Sequence, residues 1–126
     1  MCQREAPFVF HVKQNALKAL YTKELRKMNK EDNLKRTAYL KNIVLNMPEK
    51  PGTYQFYDNE KTIIYVGKAK NLKRRVSSYF HKEVDRFKTK VLVSKIHDIS
   101  YSVVKTEEDA LLIENQLIKQ YKPKYN

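Results

Sequence analysis

The stretch from Pro51 to Gly67, which reads PGTYQFYDNEKTIIYVG, decides the fold. From Gly52 its apolar and polar residues alternate with a period of two, which is the pattern of a half-buried strand. Residues 58–61, Asp-Asn-Glu-Lys, then provide a turn, and a second β-type run follows over 62–66. Two such runs joined by a short turn predict a β-hairpin.

Four more elements are predicted beyond the hairpin. They are helices over 72–80 and 86–96, a strand over 99–104, and a last helix after Thr106. Asn71 is a candidate cap for the first of these helices. Thr106, with Asp109 three residues on, is a candidate cap for the last helix, which Pro123 ends. We therefore expect an α+β domain over residues 51–126, in which helices flank a small, three-stranded, mostly antiparallel sheet.

A helical amino-terminal extension is predicted over residues 1–50. Its apolar residues form two stripes at helical spacing, which are Leu17, Leu20, Tyr21 and Leu25 in one and Leu34, Ala38, Ile43 and Leu45 in the other. Pro48, Pro51 and Gly52 end any helix there and start an extended segment. Met28 is a candidate translation start, so residues 1–27 are expected to be an upstream segment foreign to the domain.

The chain carries a large positive charge. It has 26 Lys and Arg against 14 Asp and Glu, which gives a formal net charge of +12. Such a surplus in a small protein indicates a polyanionic partner, with nucleic acid first and an anionic membrane surface as the alternative. The single cysteine, Cys2, allows neither an internal disulfide nor a thiolate metal cluster, and no run of 18 apolar residues could span a membrane. We therefore expect a cytoplasmic protein that binds nucleic acid.

Two charged residues fall within predicted apolar helix faces. Glu114 lies between Leu111 and Leu117 on the last helix, and Arg75 follows Leu72 by three residues on another. A buried, unpaired carboxylate costs several kcal/mol, so Glu114 must be paired, protonated or bound to a cation. Opposite charges on two helices indicate a shared polar pocket, in which a guanidinium could clamp a phosphate. An internal ion pair between Arg75 and Glu114 is the structural alternative.

Two short motifs on the hairpin carry a family resemblance. Gly52-Thr53-Tyr54 and Tyr65-Val66-Gly67 place two tyrosines eleven residues apart, and Lys68, Arg75, Glu114 and Asn126 follow them. This pattern resembles the GIY-YIG nuclease family and, within it, the UvrC branch of bacterial excision repair, over Pro51 to Asn126. Thr53 departs from the usual Ile or Val, but it is also β-branched and preserves the strand.

The resemblance implies a role for each of these residues. Glu114 matches the family's single ligand for Mg²⁺ or Mn²⁺, and Arg75 matches its catalytic arginine. Tyr54 is assigned as the general base and Tyr65 as the group that orients water or phosphate, and the two roles could be exchanged. A phenol is a poor base at neutral pH, so Lys68, the family's site lysine, is expected to lower the pKa of the base. Asn126 is expected to order the site.

Three features of these assignments rest on the residues alone. Tyr54 and Tyr65 are expected at corresponding places on paired strands, where simple core packing is the alternative. Gly67 is expected to allow a sharp turn after the second strand. Lys70, Lys73 and Arg74 belong to a run of seven basic residues without an acid between Lys61 and Lys82. They are expected to contact DNA phosphates, and a merely solvated surface is the alternative.

The resemblance implies a metal-dependent DNA endonuclease domain that makes the incision on the 3′ side of a lesion. Its implied partners are DNA and UvrB, with UvrA acting upstream, and docking would use segments outside this sequence. Two alternatives stay open. One is a stand-alone nuclease for branched DNA, and the other is a module of the same fold that binds nucleic acid without cutting it.

Overall fold

The structure is a computed structural model that describes residues 30–81 and 86–126. Its elements in chain order are helix α1, whose described part covers 30–45, strands β1 (Gly52–Tyr57) and β2 (Ile63–Ala69), helices α2 (Leu72–Ser78) and α3 (Phe87–Lys95), strand β3 (Asp98–Val103) and helix α4 (Glu107–Tyr121). The chain divides between Thr37 and Ala38 into two units. The first unit is helical over its described residues, 30–37, and all contacts discussed below lie within the second.

The three strands form one antiparallel sheet in the order β2-β1-β3. At the hairpin turn, the Asp58 carboxylate accepts hydrogen bonds of 2.9 Å from the amides of Glu60 and Thr62. Strand β2 runs three residues beyond its predicted end because its pairing with β1 continues as far as Gly52 and Ala69. The predicted hairpin and the three-stranded α+β architecture are confirmed.

A single apolar cluster lies on the sheet face that carries Tyr54 and Phe56. Strands and helices α1 to α3 all contribute to it, and its buried members are Leu40, Val44, Met47, Tyr54, Phe56, Ile64, Ala69, Leu72, Val76, Leu92, Ile96 and Ile99. Because helix α2 packs against both β1 and β2, the side chains that it carries beside this core are held next to the hairpin.

Helix α1 packs through a different face from the one predicted. Leu40 and Val44 are buried, and Met47 follows them at the same helical spacing, i, i+4 and i+7. The predicted stripe is wrong here, since Leu45 is 67% exposed and Ile43 is only partly buried. The predicted stripe over residues 17–25 lies outside the described residues, and so does Met28.

The compact unit that contains the sheet begins at Ala38. Residues 38–50, which the sequence assigned to the extension, therefore include three core side chains of this unit. The difference from the predicted boundary at Pro51 arises because α1 ends at residue 45, yet side chains before Pro51 still pack into the core of this unit.

Both predicted helix caps are present. The Asn71 side chain accepts a hydrogen bond of 3.0 Å from the Arg74 amide at the start of α2. The Thr106 hydroxyl accepts one of 3.2 Å from the Asp109 amide at the start of α4. Helix α4 is less buried than its sequence predicts, because Leu111 is 43% exposed. Within 30–81 and 86–126 no helix has the length and apolarity needed to cross a membrane.

Candidate active site

Three tyrosines from β1, β2 and α2 meet beside the core. The Tyr54 and Tyr79 hydroxyls lie 2.8 Å apart, and the centroids of the Tyr54 and Tyr65 rings lie 6.2 Å apart. The centroids of the Tyr65 and Tyr79 rings lie 6.2 Å apart, and Tyr79 contributes to raising the pKa of Tyr65, so the three tyrosines form one cluster. Tyr54 faces Gly67 across the strand pair and Phe56 faces Tyr65, so the expectation that Tyr54 and Tyr65 occupy corresponding places is wrong by two residues.

Gly67 provides the space for the Tyr54 ring. A Cβ at this position would overlap the ring and hydroxyl of Tyr54. Its φ is not positive, so the expected sharp turn is wrong. What matters at Gly67 is the close approach of a cross-strand aromatic side chain, which only a residue without a side chain permits.

Burial dominates the acidity of the three hydroxyls. It raises the pKa of Tyr65 to about 12 and also raises the pKa of Tyr79. The pKa of Tyr54, which is 1% exposed, is raised by burial too, and hydrogen bonds from Tyr79 and Arg75 partly counteract that rise. All three hydroxyls are therefore protonated at neutral pH, and Tyr54 is the one whose anion has donors in place.

Arg75 is the cation of this cluster. The nearby Tyr54 hydroxyl raises the pKa of Arg75, and the guanidinium carbon lies 5.6 Å from the centroid of the Tyr79 ring. The residue is exposed at its other side and lines three cavities of about 480, 290 and 240 Å³. A guanidinium that is held by tyrosines and open to solvent can still bind a phosphate.

Lys68 lies on the opposite side of the hairpin from the tyrosines. It pairs with Thr53 in the strand register, and side chains alternate between faces, so it does not point towards Tyr54. The expectation that Lys68 lowers the pKa of a tyrosine is corrected, because the cation that does so is Arg75. Lys68 lines the cavity of about 290 Å³ together with Arg75, so both cations border one space.

Glu114 is half-buried on helix α4. Its charge contributes to raising the pKa of Tyr65. In the described part of the chain the carboxylate has no ion pair with Arg75, and no three His, Cys, Asp or Glu residues gather into a metal cluster. Glu114 is thus a single carboxylate available to a cation beside the tyrosines.

Asn126 fixes the position of strand β2. Its side-chain amide donates to the Val66 carbonyl and accepts from the Val66 amide, both at 2.8 Å, and the Tyr125 amide donates to the Ile64 carbonyl at 3.0 Å. Val66 is the neighbour of Tyr65. Asn126 therefore holds the backbone that carries Tyr65.

The three residues expected to bind DNA have different surroundings. Arg74 is exposed and lines the cavity of about 240 Å³ with Arg75. Lys70 lines the cavity of about 290 Å³, and its ammonium lies 3.8 Å from the carboxylate of Glu107. Lys73 is half-buried and borders none of the three cavities described above.

The largest of these cavities, about 480 Å³, opens between the tyrosines and helix α3. Its lining comprises Tyr65, Arg75, Ser78, Tyr79, Arg86, Lys88, Thr89, Leu92, Tyr125 and Asn126. Sequence reasoning missed Tyr79 because an aromatic residue there reads as part of an apolar stripe. Its spacing of four residues from Arg75 was the available signal, since residues i and i+4 share a helix face. Together, the clustered tyrosines, the exposed guanidinium and the single carboxylate define a site for phosphate chemistry.

Comparison with known proteins identifies the family. The model of the UvrC-like GIY-YIG domain matches residues 50–126. The UvrABC system protein C of Bacteroides thetaiotaomicron is 67% identical over 99 residues, which are 79% of this chain and 16% of that protein. That of Porphyromonas gingivalis is 60% identical over 86 residues, which are 68% of this chain and 14% of that protein.

A solved structure has the same fold. The GIY-YIG N-terminal endonuclease domain of UvrC from Thermotoga maritima, bound to its catalytic divalent cation magnesium, is 35% identical, with a TM-score of 0.64 over 70% of this chain and 96% of that one. The chain therefore belongs to the UvrC-like GIY-YIG family of nuclease domains. It spans about 16% of the length of the first of the curated relatives that it matches.

Proposed function

We propose that this domain hydrolyses a DNA phosphodiester bond and makes the 3′-side incision of nucleotide excision repair as the amino-terminal part of a UvrC protein. The observation that carries this proposal is the cluster of Tyr54, Tyr65 and Tyr79 beside Arg75, in which the Tyr54 and Tyr79 hydroxyls are hydrogen-bonded. This cluster borders an open cavity with cationic walls. Membership of the family supports the same reaction class.

A divalent cation, Mg²⁺ or Mn²⁺, fits the donor set. Mg²⁺ in phosphate-processing sites commonly takes one or two carboxylates and completes its shell with water and substrate oxygens. Glu114 is such a carboxylate, half-buried and without an ion pair to Arg75. When bound there, the cation supplies positive charge that stabilises the anionic phosphate. The magnesium-bound T. maritima domain supports this assignment.

The tyrosines form a path for the proton of the attacking water. Tyr65 lines the cavity and meets the water, which it also orients. Tyr65 takes the proton of the water as its own proton passes to Tyr79 and one passes on to Tyr54, which must first have lost its proton and whose phenolate Tyr79 and Arg75 stabilise. Tyr54 is thus the final proton acceptor and acts through Tyr65. In this mechanism the base, Tyr54, does not itself contact the water.

The remaining site residues bind or position the substrate. Arg75 and Lys68 border one cavity and bind the oxygens of the scissile phosphate, where the charge of the transition state develops. Asn126 is a positioning residue, because it holds the backbone of Val66 beside Tyr65.

Flanking phosphates give affinity without sequence selectivity. We assign them to Lys70, Lys73 and Arg74, of which Arg74 is the most accessible. Lys70 must exchange its contact with Glu107 for a phosphate, which costs little because both side chains are exposed.

In this proposal UvrA and UvrB hand over distorted DNA, and docking to UvrB uses parts of the relatives' length that this chain does not match. A cytoplasmic location follows from that role. The 16% share of a relative that the chain spans supports a division of labour between a cutting domain and other segments.

The test is nicking of supercoiled plasmid DNA by the wild-type chain and by Glu114→Gln, with Mg²⁺ and with Mn²⁺. We expect weak, metal-dependent nicking without preference for damage, and its loss in Glu114→Gln. Calorimetry should show metal binding to the wild type alone, and thermal stability should be equal or higher in the variant, because the carboxylate has no ion pair with Arg75.

The other outcomes separate the alternatives. Efficient incision at lesions by this chain alone would favour a stand-alone nuclease. DNA binding without nicking in either metal would favour a module that binds without cutting. A Glu114→Gln protein that unfolds would show that the carboxylate is structural.

A further inference from the structure

Helix α3 supplies a second set of cations to the cavity that holds Tyr65. Arg86 and Lys88 line this cavity together with Arg75, and none of the described residues that line it is acidic. Arg86 precedes the helix and Lys88 lies in its first turn, which contains no acidic residue. Three cations around one cavity of about 480 Å³ form a strongly anion-selective space.

These cations lie on the other side of Arg75 from the residues assigned to flanking phosphates. Arg74 and Lys70 line separate cavities that also include Arg75, and Arg86 and Lys88 line neither. Arg75 therefore lies between two basic surfaces. A nucleic acid strand whose scissile phosphate contacts Arg75 has a basic surface available in both directions.

In the sequence, Phe87 stands between Arg86 and Lys88, and its side chain is exposed and lies outside the cavity lining. Phe87 is 79% exposed, the highest exposure among the large hydrophobic side chains of the described residues. An exposed Phe gives nothing to the stability of this unit. An aromatic face beside phosphate-binding cations is the combination that binds unpaired nucleotides, because any base can stack on the ring.

We infer that Arg86, Phe87 and Lys88 form a subsite for an unpaired nucleotide next to the cleaved bond. The two cations bind its flanking phosphates, and the Phe87 ring stacks on its base. This inference rests on the proposed function, because the path of the DNA strand is set by its scissile phosphate on Arg75. It gives the domain a selectivity that phosphate contacts alone lack, namely a preference for DNA whose bases are already unstacked.

The test measures binding without cleavage. A fluorescein-labelled oligonucleotide of mixed sequence is titrated by fluorescence anisotropy in EDTA, once single-stranded and once as a fully paired duplex. We expect Phe87→Ala to weaken single-strand binding at least about fivefold and duplex binding much less, because base stacking is lost only with the former. Phe87→Tyr should keep wild-type affinity, since the ring is retained.

A double variant tests the two cations, Arg86 and Lys88, and a second double variant is its matched control. Arg86→Ala with Lys88→Ala should weaken binding of both DNAs and lower the log–log salt slope on single strands by about 1.4, which is about 0.7 for each phosphate contact. Lys90→Ala with Lys95→Ala removes two charges from the same helix outside the cavity and should change the slope least.

Each result decides one claim. If Phe87→Ala weakens both DNAs equally, or neither, the stacking subsite is wrong, even when the chain nicks plasmid. If the Arg86→Ala, Lys88→Ala variant changes binding no more than its control does, the proposed path of the DNA strand over α3 is wrong. If both sets of variants behave as expected but no metal produces nicking, the subsite holds and the proposed cleavage fails.

Discussion

At the scale of single residues, the site depends on hydroxyl groups that are difficult to ionise. Burial raises the pKa of all three tyrosines, and Arg75 is the cation that counteracts it at Tyr54. In the proposed relay, Tyr54 takes up the proton in its phenolate form, which Arg75 stabilises. Removing any one of the three hydroxyls should therefore interrupt proton transfer.

Tyr79→Phe tests this path most directly. The substitution keeps the ring, which packs at 5.1 Å from the centroid of Phe56, and removes the hydroxyl that is hydrogen-bonded to Tyr54 and that the proposed relay uses. We expect nicking to fall by at least about a hundredfold, the scale of general base catalysis, while DNA binding is retained. Tyr54→Phe and Tyr65→Phe should lose activity to a similar extent. Near-normal nicking by Tyr79→Phe would leave Tyr65 or Tyr54 to act alone.

The pH dependence of stability follows from the raised pKa of Tyr65. Its ordinary value is 10.0 and its folded value is about 12, so the folded state holds the proton more tightly than the unfolded state. The resulting stability is fully present below pH 10 and is lost as the pH rises towards 12. Urea unfolding should give a free energy of unfolding that falls over this window, and the fall should be shallower in Tyr65→Phe. An identical fall in both proteins would contradict the assignment.

Gly67→Ala should destabilise the domain. The added Cβ would overlap the Tyr54 ring, and overpacking of this kind costs about 1–3 kcal/mol. Urea unfolding should show this loss, and nicking should fall because Tyr54 must move. A stable, active Gly67→Ala protein would mean that the ring can shift without cost.

Thr53→Val should lower the stability of the domain and leave its activity close to normal. The Thr53 hydroxyl accepts a hydrogen bond of 3.2 Å from the Gln55 side chain, and both residues are buried on the face away from Tyr54. Loss of this acceptor should cost about 1 kcal/mol in urea unfolding, while nicking stays close to normal. A large loss of activity would place Thr53 in the site.

At the scale of elements, helix α2 sets the geometry of the site because it carries Arg75 and its C-cap residue is Tyr79. It is only seven residues long, too short to be stable by itself, so its cap and its packing must hold it. Asn71 caps its first turn, and the Lys50 carbonyl accepts a hydrogen bond of 2.9 Å from the Leu72 amide. Disturbing the start of this helix should therefore affect catalysis.

Asn71→Ala should cost about 1 kcal/mol in urea unfolding and reduce nicking, since the displaced helix carries Arg75. Asn71→Gly should cost only a few tenths of a kcal/mol. Thr106→Ala is the matched control, because it removes the cap of α4 and leaves α2 intact. Equal losses of nicking for the two Ala variants would show that general stability, and not the position of α2, limits activity.

Local rules predicted the elements well and the contacts between them less well. Asn71 and Thr106 were identifiable as caps because a cap depends on residues three positions away. The buried face of α1 was mispredicted, because Leu45 and Leu40 are equally apolar and only the packing partner decides between them. The environments of Tyr79 and Phe87 were hard to predict for the same reason. A sequence does not show whether an aromatic ring on a helix lies in a core, a site or solvent.

At the scale of the whole molecule, the chain carries a net charge of +12, and cations line cavities on both sides of Arg75. Affinity for DNA should depend strongly on salt, because each phosphate contact releases counterions. Such a surface gives binding to any DNA, and the choice of site must then come from the shape of the DNA or from a partner.

Lys73→Glu with Arg74→Glu tests the surface on α2. We expect weaker DNA binding and a log–log salt slope that is lower by about two, or about one if half-buried Lys73 makes no contact. Lys41→Glu with Lys119→Glu is the control, since it makes the same change of charge away from the three cavities. Equal slopes for the two variants would mean that α2 presents only a solvated surface.

The contact between Asn126 and Val66 also bears on aggregation. Strand β2 forms one border of the sheet, and a bare border strand is a template on which another copy of the protein can pair. The Asn126 amide occupies the donor and the acceptor of Val66, as a neighbouring strand would, and Tyr125 occupies Ile64. Asn126→Ala should therefore favour self-association in light scattering as well as weaken nicking, so the residue that orders the site also protects the molecule from its own copies.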